Sequence, residues 1–452
     1  ALFNETVLNV ALNILMKDLN VTAATVQWLV TAYMIVVSIM VPVTAFLIQT
    51  YEIKKLYLTA MGILLLGTAC GACSVTFPML LGSRMLQALG TGMMIPIMMN
   101  TVLHVTPQER RGSAMGICVC AIQLGPALGP TFAGTALQFF NWHALFIILL
   151  PLIIIAMIAG AIYLVDVATL TRPKLDIASV VLSTVGFGAV IYGLSSFTGS
   201  GDKRILMAIF AIGIIALLVF VKRQLALNEP MLEMRTFKYP FFSIGIGLVM
   251  ISMMSIFTMN VMLPMFLQGA LGKTTFVSAM VLLPATLMNG AITLLSGKIY
   301  DKLGAKVLIP AGFTMILAAL LILSRATVDT SLSAIVITYV VLCIGVGCAM
   351  SPSQTNALNQ LPKSAYPHGV AILNTLQQIS AAIGSSLFIG ILAASEMKAL
   401  RNSATEQGAV AAGFSTSVLA IAALIFVGLL LSFALVLEKK KLAADIHIDF
   451  FQ

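Results

Sequence analysis

The sequence predicts an all-α membrane protein, and its composition, the length of its apolar runs and the spacing of its polar residues lead to this fold class. Hydrophobic residues make up 60% of the 452 residues, and charged residues make up 9%. A soluble domain carries roughly 25% charged residues to cover its surface. The apolar residues fall in runs of about 20, which cross ~30 Å of hydrocarbon as helices. The alternating segments of ~10 residues that form an outer-membrane barrel are absent from the sequence.

The apolar runs, bounded by charged and turn-forming residues, predict about fourteen transmembrane helices. Short loops join neighbouring runs, so successive helices alternate in direction. Because the chain begins inside an apolar run, we expect further residues to precede Ala1. The predicted spans are 1–16, 25–49, 56–75, 79–105, 112–140, 144–165, 176–197, 204–225, 241–268, 275–297, 306–325, 331–357, 368–395 and 413–437.

The basic residues of the loops set the predicted orientation. Most of the 25 Lys and Arg residues lie in one set of alternate loops, which is therefore cytoplasmic under the positive-inside rule. An even number of spans then places both termini in the cytoplasm. The Lys439–Lys441 run follows the last span as a stop and orientation signal, with contact to anionic lipid as the alternative. We expect a multi-pass protein of the bacterial inner membrane.

A charged loop joins the tenth and eleventh predicted spans with the sequence GKIYDKLGAK, residues 297–306. Gly297 permits close approach of two helices, and Gly304 supports a tight turn. Asp301, which precedes Lys302, can accept hydrogen bonds from amides at a helix end and pair with a neighbouring cation. A similar segment at 45–55, AFLIQTYEIKK, joins two helices of the first half. Such repeats are typical of transporters built from two halves.

Arg84 lies inside the fourth predicted span, in the segment RMLQALGTG at 84–92. A guanidinium within the bilayer is energetically costly and must face a cavity or a partner. Gln87 lies one turn along, on the same face of the helix. The alternative is that Arg84 reaches the membrane interface, because it lies only ~9 Å from the start of its span.

The fifth predicted span contains AIQLGPALGPTFAG, residues 121–134. Pro126 removes one backbone hydrogen bond and is expected to kink the helix, and Gly125 and Gly129 offer a surface of small residues for close packing. A kinked packing helix with no further role is a sufficient physical interpretation of this segment.

Together these segments resemble the major facilitator superfamily, specifically its fourteen-helix drug/proton antiporter branch. Further phrases carry the resemblance in the same order: FNETVLNVALN at 3–13, VQWLVTAY at 26–33, and SPSQTNALNQLP and GVAILNTLQQ near the end. The chain departs from the family pattern at several positions. Polar or bulkier residues replace the Gly, Asp and Gly of the first-half loop, and Asn replaces the proline that ends the first motif; these positions are Ala45, Gln49, Glu52 and Asn13.

The resemblance implies a major-facilitator fold of two six-helix bundles with two additional transmembrane helices between them. The N-terminal bundle is then 1–165, and the extra helices with a cytoplasmic linker are 166–240. The C-terminal bundle is 241–437, and 438–452 is a cytoplasmic tail. The resemblance also implies that the 297–306 loop latches a conformation, that the fifth-helix motif belongs to exporters, and that Arg84 is tied to proton coupling.

Glu5 is the only acidic residue well inside an apolar span. Burial favours its neutral form, whereas a nearby Arg84 favours its charged form, so its protonation can change as access alternates. We therefore expect Glu5 to be the proton-coupling carboxylate and Arg84 its electrostatic partner. Counting at 1.5 Å per residue places Glu5 ~18 Å from the outer end of its span, so the two groups communicate through water or Gln87. The alternative is a structural Glu5 that is satisfied by Asn9 or by backbone.

Several polar and aromatic side chains within the spans are candidates for a substrate cavity. The 26 Met residues also suit an adaptable apolar pocket. The alternatives are that Met packs against lipid and helices and that Asn and Gln join helices to one another. The main candidates are Trp28, Tyr33, Gln87, Gln123, Asn374 and Gln377, and the wider set adds Asn260, Asn289, Gln354 and Gln378.

The sequence shows no catalytic or metal-binding pattern. Its six cysteines lie in apolar runs, and the Cys70–Cys73 pair has no second pair or His cluster to complete a metal site. It contains no nucleophile motif and no phosphate-binding loop, so we expect neither an enzyme nor a primary pump. Basic residues flank spans and form no aromatic-interleaved patch, so we expect no nucleic-acid partner. We expect a monomer in contact with membrane lipid and a small-molecule substrate, with protons as coupling ion and no cofactor.

The functional expectation is a proton-coupled antiporter that exports amphipathic or cationic drugs by alternating access. The main alternative is an exporter of a physiological metabolite, lipid-like molecule or nucleotide on the same fold, with drug transport incidental. A nutrient importer is the third interpretation.

Overall fold

The computed structural model describes residue 4 and the ranges 7–8, 11–26, 28–165, 176–196, 203–227, 230–402 and 405–449. These residues form α-helices joined by short loops and 3-10 turns, and no strand occurs among them. In order along the chain the α-helices are α1 (Leu12–Asp18), α2 (Ala23–Val26), α3 (Trp28–Thr50), α4 (Ile53–Ala72), α5 (Phe77–Val105), α6 (Arg111–Phe139), α7 (Ala144–Ile147), α8 (Leu149–Tyr163), α9 (Ile177–Ser196), α10 (Lys203–Ala226), α11 (Pro240–Gly269), α12 (Thr275–Leu303), α13 (Ala305–Leu323), α14 (Leu332–Leu358), α15 (Tyr366–Arg401) and α16 (Glu406–Asp449).

Eleven helices within the described ranges are long and apolar enough to cross a membrane. The segment Ile177–Gly193 adds a shorter apolar helix, and α6 is 29 residues long. Each predicted span from 25–49 onward overlaps a helix, except that 144–165 comprises α7 and α8, and α16 extends well beyond both ends of 413–437. Most of the first predicted span, 1–16, lies outside the described residues. The prediction of an all-α, multi-pass membrane protein is confirmed.

Local sequence signals explain where several of these helices begin and end. Thr274 and Ser331 cap α12 and α14, where their hydroxyls accept hydrogen bonds from the amides of Val277 and Ala334. Gly304 separates α12 from α13 with a φ of 71°, a left-handed conformation that favours glycine. The turn predicted at Gly304 is therefore present.

The chain divides into two compact units. The first contains 1–107, 121–236 and 362–375, and the second contains 108–120, 237–361 and 376–452. Two short segments, 108–120 and 362–375, group with the opposite unit from the one that the predicted domain ranges gave them.

In the first unit, pairs of helices approach closely at glycines. A Cβ atom added to Gly90 of α5 would lie 2.6 Å from the Ala60 carbonyl of α4, so a larger residue there would separate the two helices. The helix pair α9 and α10 packs on itself, and α9 also packs on α3. A core of buried side chains that includes Leu29, Trp142 and Phe146 closes one end of the unit.

In the second unit, α14 is the central helix and packs against α11, α12 and α13. A Cβ atom on Gly345 of α14 would lie 2.8 Å from the Gly312 carbonyl of α13, and one on Gly245 of α11 would lie 2.7 Å from the Ala357 side chain. Close backbone packing therefore fixes α14 on at least two sides.

Candidate functional sites

Arg84 is fully buried within the first unit, in the first half of α5. One guanidinium nitrogen, Nη1, donates to the main-chain oxygen of Asn4 at 3.0 Å and to Oε1 of Gln87 at 3.0 Å. The guanidinium carbon lies 4.1 Å from the centre of the Tyr33 ring, a cation–π arrangement. Full burial excludes the alternative that Arg84 reaches the membrane interface.

The hydrogen bonds continue outward from Arg84 through three helices. Gln87 donates from Nε2 to the Thr68 hydroxyl of α4 at 3.2 Å. The Tyr33 hydroxyl of α3 donates to Thr91 of α5 at 2.8 Å. The predicted cavity residues Tyr33 and Gln87 thus lie beside Arg84. We call this set the Arg84 cluster, and it comprises Asn4, Tyr33, Thr68, Arg84, Gln87 and Thr91.

Glu5, the predicted proton-coupling residue, lies outside the described residues, so its role stays a prediction. Its sequence neighbour Asn4 is described and contacts Arg84 through its main chain. The predicted separation of Glu5 from Arg84 stays a prediction, and the Arg84 side chain reaches the neighbouring residue Asn4.

The segment 297–306, predicted as a loop, forms the end of α12, the turn at Gly304 and the start of α13, and it contacts the beginning of α6 within the second unit. The Asp301 carboxylate accepts hydrogen bonds from the amide of Gly112 at 2.7 Å, from the amide of Ser113 at 2.8 Å, and from the Ser113 hydroxyl. These amides lie in the first turn of a helix, where they have no intrahelical acceptor and carry the positive end of the helix dipole. Asp301 therefore serves as an N-terminal cap supplied by another helix.

Glycine makes this contact possible. A Cβ atom on Gly297 would overlap the Gly112 carbonyl oxygen, so the two backbones touch directly. Lys302 is exposed. The role of this loop as a conformational latch stays a prediction, and the geometry shows only that it fixes the start of α6.

The corresponding loop of the first half makes different contacts, in keeping with its departure from the family pattern. Gln49, which stands at the Asp position, donates to the Ala45 carbonyl of its own helix at 2.9 Å. Glu52 pairs with Lys55 across 2.9 Å at the surface. The contact that Asp301 makes with another helix is not reproduced by Gln49 in these hydrogen bonds.

The fifth-helix motif lies in α6, which is continuous through Pro126, so the expected kink does not interrupt the helix. Gly129 is buried and Gly125 is half-buried. The relation of these residues to the direction of transport stays a prediction.

The remaining cavity candidates occupy separate environments. Trp28 stacks on Tyr192 of α9, with ring centres 5.5 Å apart. Asn374 donates to the Val370 carbonyl at 2.9 Å, within its own helix. Gln123 is half-buried. Gln377 is buried, and its Nε2 has no hydrogen-bond partner among the described residues.

The polar interruption near 226–240 is an ordered connection in the described part of the chain. Gln224 of α10 accepts from the Leu232 amide at 3.0 Å and donates to Ser179 of α9. His368 lies 3.1 Å from the Met231 carbonyl through its Nδ1 atom. The sequence predicted a linker here but gave no signal for these contacts, because they join residues that are far apart in the chain.

An ion pair closes the same end of the α9–α10 pair. Asp176 accepts from Nε of Arg223 at 2.6 Å and from Nη2 at 2.9 Å. The hydrogen bonds from Arg223 and from the Ser179 hydroxyl hold the pKa of the Asp176 carboxyl well below its usual range. The pair is partly exposed, so its contribution to stability is small.

The described residues contain no group of His, Cys, Asp and Glu that could hold a metal ion. Cys118, Cys120 and Cys343 are buried, in agreement with a packing role, but Cys70 and Cys73 are exposed. Cys70 and Cys73 lie at the end of α4, on either side of the buried residue Gly71.

One buried polar stretch was represented among the cavity candidates by Gln354 alone. Residues 351–356 of α14 contain four polar side chains that are each at least 98% buried and that have side-chain atoms without a hydrogen-bond partner in the described chain. The sequence signal is the phrase SPSQTN in an otherwise apolar span. The four residues are Ser351, Ser353, Gln354 and Asn356, and we call 351–356 the polar segment of α14.

Comparison with known proteins supports one family. The sequence profile of the Major Facilitator Superfamily matches residues 1–385. The "Lincomycin resistance protein LmrB" of Bacillus subtilis (strain 168) is 41% identical over 398 residues, which cover 87% of this chain and 83% of that protein. The "Putative multidrug resistance protein MdtD" of Escherichia fergusonii is 26% identical, over 85% of this chain and 82% of that protein.

A solved structure agrees at the level of the fold. The proton:xylose symporter XylE, described as a major facilitator superfamily protein, superposes with a TM-score of 0.62 and 14% sequence identity, covering 94% of this chain and 92% of that one. The profile match over most of the length, the relatives and the shared fold agree, and the chain belongs to the major facilitator superfamily of membrane transporters.

Proposed function

We propose that this protein is a proton-coupled antiporter that exports amphipathic or cationic drugs from the cytoplasm across the bacterial inner membrane by alternating access. The observation that carries the proposal is the 41% identity, over 87% of the chain, to a protein named for lincomycin resistance. A second relative, at 26% identity, is named for multidrug resistance.

The Arg84 cluster supports the coupling part of the proposal. A fully buried guanidinium is stable only with strong compensation, and the contacts described above come from an amide, a main-chain oxygen and an aromatic ring. Glu5 follows Asn4 directly in the sequence, and the main-chain oxygen of Asn4 accepts a hydrogen bond from this cation. A carboxylate that gains a proton from one side of the membrane and loses it to the other side would couple proton entry to drug export.

The test is efflux from inverted membrane vesicles that contain the full chain. Ethidium and lincomycin uptake into these vesicles is measured with and without an imposed pH gradient. We expect uptake that depends on the gradient, and we expect Glu5→Gln to abolish this dependence. Glu52→Gln is the matched control, because Glu52 forms a surface pair with Lys55 and should transport as the wild type does.

Two results would contradict the proposal. Gradient-driven uptake that survives in Glu5→Gln would remove Glu5 from the coupling mechanism. Absence of uptake of both compounds in the wild type would remove drug export and would favour a metabolite exporter, which the same vesicles test with a panel of polar metabolites.

A further inference from the structure

The polar segment of α14 combines deep burial with unsatisfied hydrogen-bonding groups. The unpartnered atoms are the hydroxyls of Ser351 and Ser353, Oε1 of Gln354, and both amide atoms of Asn356. Each of these residues is at most 2% exposed. Buried polar atoms are nearly always hydrogen-bonded in native proteins, so a group of unpartnered atoms within six residues requires an explanation.

Pro352 removes one backbone hydrogen bond from the same segment. It lies inside α14 and has no amide hydrogen, so it cannot donate to the carbonyl of Cys348 one turn earlier. In a membrane protein, freed backbone groups are tolerated where they are buried in protein or line a water-filled cavity. The same stretch of helix therefore presents unsatisfied backbone as well as unsatisfied side chains.

Other hydroxyls of α14 form hydrogen bonds to carbonyl oxygens of their own helix. Thr355 donates to the Ser351 carbonyl at 3.0 Å, and Thr338 donates to the Ala334 carbonyl at 2.7 Å. This bond to the preceding turn is open to serine as well. Ser351 and Ser353 do not make it, so their hydroxyls stay available to another partner.

The packing of α14 limits local adjustment. Gly347 lies so close to α12 that an added Cβ atom would be 3.1 Å from the Asn289 carbonyl, and Gly245 of α11 lies against Ser353 and Ala357. These backbone contacts hold the segment in place, as a binding site on a rigid element requires.

We infer that the polar segment of α14 binds the hydroxyl and amide groups of the transported molecule in the step of the cycle in which it is exposed. The inference rests on the proposed export function. The helix Leu332–Leu358 contains no charged residue, so it recognises its ligand through neutral hydrogen bonds. The segment therefore selects substrates rich in hydroxyl and amide groups over aromatic cations with few such groups, because a lost hydrogen bond discriminates strongly in a buried site.

The test compares two substrates and two kinds of variant. Lincomycin carries sugar hydroxyls and an amide, whereas ethidium is an aromatic cation with few such groups. The variants Asn356→Leu and Ser353→Ala remove unpartnered groups. Thr355→Val is the matched control, because it removes a partnered hydroxyl from the same helix at equal burial. Gradient-driven vesicle uptake and the thermal unfolding midpoint of the purified protein are measured for each.

We expect Asn356→Leu and Ser353→Ala to reduce lincomycin uptake about tenfold, the effect of losing roughly one well-formed hydrogen bond. Ethidium uptake should stay within about twofold, and the unfolding midpoint should stay the same or rise, since unsatisfied polar groups are removed. Thr355→Val should transport both compounds normally and unfold at a lower temperature.

Equal loss of both substrates, unchanged lincomycin uptake, or a lower unfolding midpoint in both variants would overturn the inference. Binding of radiolabelled lincomycin to the purified protein in detergent separates this failure from failure of the proposed function. Binding by the wild type that is lost in Asn356→Leu supports the site even without driven uptake. Absence of binding to the wild type overturns it.

Discussion

The Arg84 cluster and the polar segment of α14 are two buried polar regions that treat their hydrogen-bonding groups differently. Arg84, Gln87 and Tyr33 exchange hydrogen bonds and ring contacts with three helices. Ser353 and Asn356 are buried as deeply, but none of their side-chain polar atoms has a partner in the described chain, whereas in the Arg84 cluster Nδ2 of Asn4 lacks one within an otherwise connected network. Burial alone therefore does not identify the role of a polar site. The Arg84 cluster is stabilised by contacts within the protein, whereas the polar segment of α14 has hydrogen-bonding groups free for a ligand.

The physical reason for the difference lies in charge. A buried guanidinium without compensation is very costly, so it needs polar partners or a water-filled cavity in every state of the protein. A neutral hydroxyl or amide costs much less when unsatisfied. Neutral groups can therefore stay unpartnered in one conformation and bind in another.

Substitution of Arg84 has the largest expected effect on the free energy of unfolding, and it tests the hydrogen-bonded region, the Arg84 cluster. Arg84→Ala leaves the Gln87 and Asn4 acceptors without their donor and opens a cavity, so we expect a loss of about 3–4 kcal/mol in the free energy of unfolding. Gradient-driven uptake should disappear. The measurements are unfolding of the purified protein in a denaturing detergent and vesicle uptake.

Arg401→Ala is the control for Arg84→Ala, because Arg401 is exposed at the end of α15. We expect Arg401→Ala to change the free energy of unfolding by no more than about 0.5 kcal/mol, as other surface substitutions do. If Arg84→Ala were as stable as this control, the Arg84 cluster would be no better satisfied than the polar segment of α14, and the comparison would fail.

Substitution of Asp301 tests whether the hydrogen bonds of a polar residue, and not the unit in which it lies, decide how much it stabilises the protein. It lies in the same unit as the polar segment of α14, but its carboxylate accepts from two helix-start amides. Asp301→Ala should cost about 2 kcal/mol, at the upper end of the range for loss of a helix cap. The exposed acid Asp329 supplies the control Asp329→Ala. Equal stability of the two variants would contradict the capping role.

The helices were predictable from the sequence because the physics of a span is local. Runs of about 20 apolar residues must be helices in lipid, and Pro240, Thr274 and Ser331 mark helix starts by their own chemistry. The contact of Asp301 with the first turn of α6 was only half predictable. Aspartate is a residue type that caps helices, but nothing in the sequence showed which helix Asp301 would cap.

The organisation of the polar residues was not predictable, because it depends on contacts between distant parts of the chain. Tyr33 and Trp28 were equivalent candidates by sequence, yet Tyr33 contacts Arg84 whereas Trp28 stacks on Tyr192. The polar segment of α14 was predicted only at Gln354, for a different reason. Unsatisfied hydrogen bonding is a property of the surroundings, and a residue string cannot reveal which of its polar atoms have found partners.

Tyr33 offers a smaller test within the Arg84 cluster. Tyr33→Phe keeps the ring beneath the guanidinium but leaves the Thr91 hydroxyl without its donor. We expect a loss of about 1 kcal/mol in the free energy of unfolding and little change in coupling. Adding Thr91→Val to Tyr33→Phe removes the remaining hydroxyl and should recover part of that loss. A double variant less stable than the sum of the two single variants would contradict this account.

The smallest expected effect concerns a polar contact that is satisfied but partly exposed, the Asp176–Arg223 pair. The Arg223 hydrogen bonds lower the pKa of Asp176 in the folded protein, so the pair stabilises the protein fully above the carboxyl's ordinary pKa of about 4. This contribution is lost progressively as the pH falls below that value. The wild type should unfold about 1 °C above Asp176→Asn at pH 7, a difference that shrinks at pH 3. Thermal unfolding at both pH values measures it, and a constant difference would show that the charge of Asp176 is not its source.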